Sequence, residues 1–284
     1  MQLANIGKPK SFTFISSTAV LESATYVRMS DNIRAKGGRG VPESDNLDAT
    51  RTSLGSGYGQ TKWVCERLVM EAGKRGLSSS IVRPAYIVGD SQSATTNTDD
   101  FIWRLVKGCI QLGHTPTIHN LVNMVPVDHV AQITSLATLQ GTTSPSRVYH
   151  VTANPCPRFN DILTALERFG YQVKPTEYLP WRSLLEQHVL KTQDNALFPL
   201  LHFVLDDLPT STKTAALDDT HTRELLESAN AEQAVTVNDV LMGKYLAWLI
   251  AAGFIEEPSS QGQLSLPRLE VGSVRAIGRS SGQA

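Results

Sequence analysis

The chain has 284 residues, 41% hydrophobic and 19% charged, and its 26 Lys and Arg against 27 Asp and Glu leave a formal net charge of −1. That composition excludes a disordered chain and a coiled coil, and the balanced charge offers no basic face for nucleic acid or a membrane surface. The longest apolar runs, 245–255 and 198–205, fall well short of the roughly 20 residues of a membrane span.

Three scattered cysteines, Cys65, Cys109 and Cys156, suit neither a disulfide framework nor a zinc cluster and read as small hydrophobes in a reducing compartment. The opening MQLANIGKPKSF has no apolar stretch followed by a small-residue cleavage site, so a cytoplasmic location is expected.

The first predicted element is a strand within 11–21, SFTFISSTAVL. Phe12, Phe14 and Ile15 form a β-rich run after the breaker Gly7-Lys8-Pro9-Lys10, and the run ends in Ser16-Ser17-Thr18. A short apolar strand ending in hydroxyls suits a parallel sheet, where ligands sit beyond the carboxyl ends of the strands. Residues 21–57 read as a long irregular segment with one short helix at 26–36. A helix over 58–72, closed by Gly73 and Gly76, leads to a strand over 80–88. Strand, helix, strand is the grammar of a doubly wound sheet.

Asp99 and Asp100 open a predicted helix at 101–112, with their charge at its positive end. A short strand follows at 122–127. Asp128 is expected to cap a helix at 129–139, and 147–152 is a further strand. After Pro157 the pattern turns helical, with helices at 159–169, 181–191, 195–205 and 237–252. The expected organisation is a partial nucleotide-binding core at 1–157, a helix-rich substrate or cap subdomain at 158–257, and a flexible tail at 258–284 in which 264–269 could dock. His129, His150, His188 and His202 lack metal-ligand spacing, so no metal is expected.

The informative constellation is Tyr58-Gly-Gln-Thr-Lys62 downstream of the hydroxyl run. At roughly 100° per residue, Tyr58, Lys62, Cys65 and Val69 fall within a fan of about 60° on one helix face. A lysine on such a face has a partner or a task. A free tyrosine titrates at about 10, and an ammonium one turn away favours its ionised form. Tyr58 could then protonate a developing alkoxide while Ser17 holds the carbonyl oxygen. On its own the spacing also fits a surface helix whose lysine snorkels.

FTFISSTAVL, YGQTKWVCERLV and IVRPAYIVG together resemble the extended short-chain dehydrogenase/reductase superfamily. More narrowly, GYGQTKWVCE, SATTNTDDFIWRLVKGCIQLG, NMVPVDHVA and NALFPLLHFVLDDLP resemble the carboxy-terminal thioester reductase domain of the fungal aminoadipate reductase large subunit. The resemblance implies the distal part of a doubly wound, Rossmann-type parallel sheet with a helix-rich carboxy-terminal cap. It also implies NADPH-dependent reduction of an L-2-aminoadipyl thioester, borne on the phosphopantetheine of a carrier domain, to the semialdehyde in lysine biosynthesis. By resemblance Tyr58 is the catalytic tyrosine and Lys62 the lysine that also bonds the nicotinamide ribose. Ser17 is the hydroxyl donor, with Thr18 as the alternative, and Pro84, Ala85, Tyr86 and Ile87 form the loop that touches the nicotinamide. Another extended dehydrogenase, such as a sugar-nucleotide epimerase, and a non-catalytic fragment are the alternative readings.

Two features depart from the family pattern. The Gly-rich turn G-x-G-x-x-G that brings backbone N–H groups to a pyrophosphate occurs nowhere in the sequence. The superfamily would place it upstream of Met1, so the chain is expected to be the distal part of a longer protein or a truncated gene product, with an exposed first strand and weak or no NADPH binding in isolation. Ala85 stands where the family commonly has glycine, and it would be strained if the position required positive φ.

Overall fold

A computed structural model describes residues 1–8, 10–141, 146–192, 195–211 and 213–269. The chain opens with α1 (Gln2–Asn5), β1 (Phe12–Ile15), a 3-10 turn (Thr18–Leu21), α2 (Ala24–Ala35) and a second 3-10 turn (Asp48–Thr50). It continues with α3 (Gly57–Lys74), β2 (Ser79–Pro84), β3 (Tyr86–Val88), α4 (Phe101–Leu112), β4 (His114–Thr117), β5 (Met124–Pro126), α5 (Val127–Gln140) and β6 (Arg147–Val151). Then come α6 (Phe159–Arg168), β7 (Lys174–Glu177), α7 (Tyr178–Thr192), a third 3-10 turn (Phe198–Leu200), α8 (Leu201–Ser211), α9 (Thr220–Ser228) and α10 (Asp239–Ala251).

The chain forms two units that interleave along the sequence. The first comprises Met1–Ile87, Asn123–Cys156 and Thr214–Thr236, and the second Val88–Val122, Pro157–Lys213 and Val237–Ala284. The single cut expected at 157 does not match this division. Residues 214–236 return to the first unit because Leu225 and Leu226 of α9 bury against Val130, Ile133 and Tyr149. Of the tail expected at 258–284, residues 270–284 lie outside the described residues. Leu264 does dock, its amide donating to the Arg168 carbonyl at 2.9 Å.

The first unit is built on a parallel sheet of order β1-β2-β6. Side chains alternate across it, as the pleat demands. Ile81 and Val148 face α3 and pack on Val69 with Phe12 and Phe14. Val82, Tyr149 and Val151 face α5 and pack on Val130 and Ile133. Helices on both faces make this the doubly wound arrangement expected. The strand predicted over 80–88 is broken at Ala85, where the backbone changes partners: Ala85 donates to Val151 at 3.0 Å and Tyr86 to Asn123 at 2.9 Å.

Most of the irregular segment at 21–57 is tied down. Val41 and Leu47 are buried with Val20 and Tyr26. Asp45 accepts from the Tyr26 hydroxyl and from the Leu47 amide. The cap expected at Asp128 lies at Pro126 instead, because α5 starts directly from β5, and Asp128 occupies the first helical turn.

In the second unit β4 pairs in parallel with β7, two short strands that polar, proline-containing segments did not announce. Trp181 is among the largest fully buried side chains of this unit. The fully buried indole donates to the His114 carbonyl at 3.1 Å and stacks on Tyr178 at 6.3 Å. Asn195 ties α4 down by donating to the Gly108 carbonyl at 3.1 Å. Trp181→Ala is expected to cost about 3–5 kcal/mol, read as a lower denaturant midpoint, with Trp181→Phe losing clearly less.

Candidate active site

The carboxyl end of β1 carries the hydroxyl run. Ser17 is the last extended residue, and its Oγ accepts from the Ala19 amide at 3.2 Å, capping the 3-10 turn at Thr18–Leu21. Accepting uses a lone pair and leaves the O–H proton to give. Ser16 is 3% exposed, and its Oγ has no partner among the described residues.

Tyr58 and Lys62 stand on the first turns of α3, whose N-terminus is capped by Ser56 Oγ accepting from Gly59 at 3.0 Å. Gly59 lets this turn approach the 3-10 turn at Thr18–Leu21. A Cβ there would lie 2.9 Å from the Ala19 carbonyl oxygen and 3.1 Å from Ser56 Oγ. Lys62 Nζ donates to the Ile15 carbonyl at 2.8 Å and lies 5.2 Å from the Phe14 ring centroid and 5.8 Å from that of Tyr58. Phe12 and Ser16 turn their amides to β2, so the Ile15 carbonyl points away from it and is open to the lysine. Tyr58 is 59% exposed, and its hydroxyl makes no hydrogen bond among the described residues, to Ser17 or to any other group. Lys62 is half-buried, as the shared helix face predicts.

The segment after β2 lies in the same unit. Pro84 and Ala85 are buried, Tyr86 is half-buried and Ile87 is exposed. Ala85 is not among the residues with positive φ, so the strain considered for that position does not arise. Cys109 is buried, Cys65 and Cys156 are half-buried, and none of the three is in a disulfide. Burial pushes the Cys156 thiol up to about 11. Asp100 stands at the N-cap of α4 without a side-chain bond to the helix, its carboxylate accepting instead from Asn97 Nδ2 at 3.2 Å, while Asp99 pairs with Arg104 at 2.6 Å. Burial, reinforced by the Asp99 charge, raises Asp100 to about 6.

Beneath α3 lies a buried polar group outside the Tyr58–Lys62 motif. Arg83, fully buried near the end of β2, meets the fully buried Glu66 with Nε at 3.0 Å from both carboxylate oxygens and Nη2 at 2.6 Å from Oε2. Its Nη1 lies 3.1 Å from His150 Nε2, and His150 Nδ1 lies 2.8 Å from the Asp218 carbonyl. A carbonyl only accepts and a guanidinium only donates, so neutral His150 carries its proton on Nδ1. Burial and the neighbouring Arg83 charge hold His150 down to about 3. The His150 amide donates to Glu43 Oε1 at 2.7 Å, and Glu43 also accepts from Thr222 Oγ1 at 2.9 Å. Burial raises Glu43 to about 6 against those donors. The signal was legible: Glu66 falls four residues beyond Lys62, and Arg83 interrupts an apolar strand.

The family described as "Male sterility protein", an NAD-binding family, matches residues 1–134. L-2-aminoadipate reductase of Schizosaccharomyces pombe is 46% identical over 281 residues, 95% of this chain and 20% of that protein. The large subunit of L-2-aminoadipate reductase from Penicillium chrysogenum is 44% identical over 283 residues, with the same coverage of each. The chain thus spans about a fifth of the length of these curated relatives. Among solved structures, the terminal R domain of the myxalamid PKS-NRPS pathway superposes with a TM-score of 0.76 at 28% identity, covering 91% of this chain and 62% of that one. A thiolation-reductase di-domain from an archaeal non-ribosomal peptide synthetase gives 0.67 at 20% identity, over 87% and 50% of the two chains, and shows the shared fold.

The chain has the fold of the terminal reductase domains of the extended short-chain dehydrogenase/reductase type. In sequence it is similar to the fungal L-2-aminoadipate reductases over 95% of its length. A nicotinamide nucleotide suits the donor set present: an ammonium has three donors, of which Lys62 gives one to Ile15, and Ile87 offers exposed apolar surface.

Two outcomes test the geometry. A glycine in an exposed helix normally gains about 1 kcal/mol on becoming alanine; Gly59→Ala should instead lower the melting temperature, since its Cβ meets the Ala19 carbonyl. His150 is held below its ordinary value, so the stability it contributes is full above about pH 6.5 and is lost as pH falls toward 3, by up to about 1.4 kcal/mol per pH unit. Glu43, raised to about 6, acts in the opposite direction. The melting advantage of the wild type over His150→Gln should therefore shrink from pH 7 to pH 4.5.

Proposed function

We propose that the chain reduces an L-2-aminoadipyl thioester, borne on the phosphopantetheine of a carrier domain, to the semialdehyde at the expense of NADPH, in lysine biosynthesis through aminoadipate. The reading rests on one observation above all: Lys62 Nζ bonded to the Ile15 carbonyl at 2.8 Å and standing over Tyr58, on a turn packed against the one Ser17 caps. The 46% identity to a protein named L-2-aminoadipate reductase supports the substrate class. The carrier domain is the proposed partner, and the cytoplasm the proposed location. No helix among the described residues is long and apolar enough to cross a membrane.

NADPH, when bound, supplies a hydride for the thioester carbonyl carbon. Ser17 donates its hydroxyl proton in a hydrogen bond to the carbonyl oxygen, opposing the charge that develops there. Tyr58, exposed at the mouth of the site, gives its proton to that oxygen as the C–O double bond becomes single. The neutral hemithioacetal then loses its thiol and leaves the aldehyde. Lys62 retains donors for the ribose hydroxyls, and Pro84, Ala85, Tyr86 and Ile87 flank the nicotinamide.

Tyr58→Phe keeps the ring over Lys62 and removes the proton donor. In the protein as the cell makes it, NADPH-dependent aldehyde release should fall by about 10²–10⁴-fold, with thioester loading on the carrier unchanged. Aldehyde release at the wild-type rate would refute the assignment, and equal rates with NADH would refute the NADPH preference.

A further inference from the structure

We infer that Arg83, gripped by Glu66 and steadied by His150, is a positioning residue that sets the Tyr58–Lys62 turn of α3 against the strand end at Pro84. The inference rests on the reading of Tyr58 and Lys62 as the working pair. Glu66 is one helical turn beyond Lys62 and two beyond Tyr58, so all three project from one face. Arg83 immediately precedes Pro84. The pair therefore links the element bearing the proton donor to the segment proposed to flank the nicotinamide, through two short side-chain spans.

Stability alone gives no reason for such a pair. Removing two charges from water costs several kcal/mol, and apolar residues of similar volume are often as stable or more so. An apolar contact, however, has no direction, whereas a guanidinium fork fixes both angle and distance against a carboxylate. The packing of α3 on the strands starts late along the helix: Val69 meets Ile81 and Val148 seven residues beyond Lys62. Trp63 packs toward Val20, Leu21 and Leu47, outside the sheet. Between Gly59 and Val69, the side-chain bonds from α3 to the strands among the described residues are Lys62 to Ile15 and Glu66 to Arg83. The register Arg83↔His150 puts the imidazole on the same sheet face, and Ser16, whose amide bonds the Val82 carbonyl at 2.7 Å, carries that polar row onto β1.

The test is the double variant Glu66→Leu/Arg83→Met in the full protein, with Arg83→Lys, which keeps the charge and loses the fork, as its partner. The double variant should melt at or above the wild-type temperature. Its amides at 57–64 should exchange at least about tenfold faster, and kcat for thioester reduction should fall at least about tenfold with the substrate KM nearly unchanged. Arg83→Lys should fall between the two in both measurements. Wild-type exchange at 57–64 in either folded variant would overturn the inference, as would wild-type kcat. If the wild type shows no reductase activity, the proposed function fails, and the amide exchange alone decides the positioning role.

Discussion

A guanidinium with no access to water has to be met by fixed acceptors, and the way Arg83 is met organises the first unit. Its fork closes on Glu66 of α3 and its remaining arm reaches His150 of β6. One side chain thus joins the helix above the sheet to two of its three strands. His150 is kept neutral by burial beside that cation, and its tautomer follows from the Asp218 carbonyl on its far side. The charge is satisfied by groups drawn from α3 and β6, with His150 held in turn by the segment before α9.

The same requirement explains the far edge of the sheet. A β6 edge left open would present unpaired amides and carbonyls. Instead the His150 amide gives its proton to Glu43, and the Val148 carbonyl lies 3.0 Å from His221 Nδ1. Glu43 comes from the segment between α2 and α3, and His221 from α9. A stretch without regular structure and a late helix thereby finish a sheet whose strands lie elsewhere in the chain. Gly40 lets that stretch run close to the segment before α9, since a Cβ there would lie 2.2 Å from the Ala216 carbonyl oxygen.

Local chemistry was legible where a signal stood within a turn or a strand. The hydroxyl run after Ile15, the Tyr58–Lys62 spacing, the helix at 101–112 and the alternation of strand and helix were all readable, because each follows from the 3.6 or 2.0 period of one element. β4 and β7 escaped because Pro116 and Pro175 make them unlike strands, and only their mutual pairing makes them so. The cap at Pro126 escaped because Asp128 carries the commoner capping chemistry. The division of the chain into interleaved units escaped because it depends on where Leu225 and Leu226 find apolar surface.

The amino-acid order by itself determined which groups exist to do chemistry: a tyrosine and lysine one turn apart, and serines at a strand end. Tertiary structure decided what holds them. The Ile15 carbonyl waits for Lys62 only because β1 turns it away from β2, and Glu66 is neutralised only by an arginine on another element. Spacing along a helix is a property of the backbone's own geometry, whereas the partner of a buried charge is whichever group the packing brings within about 3 Å.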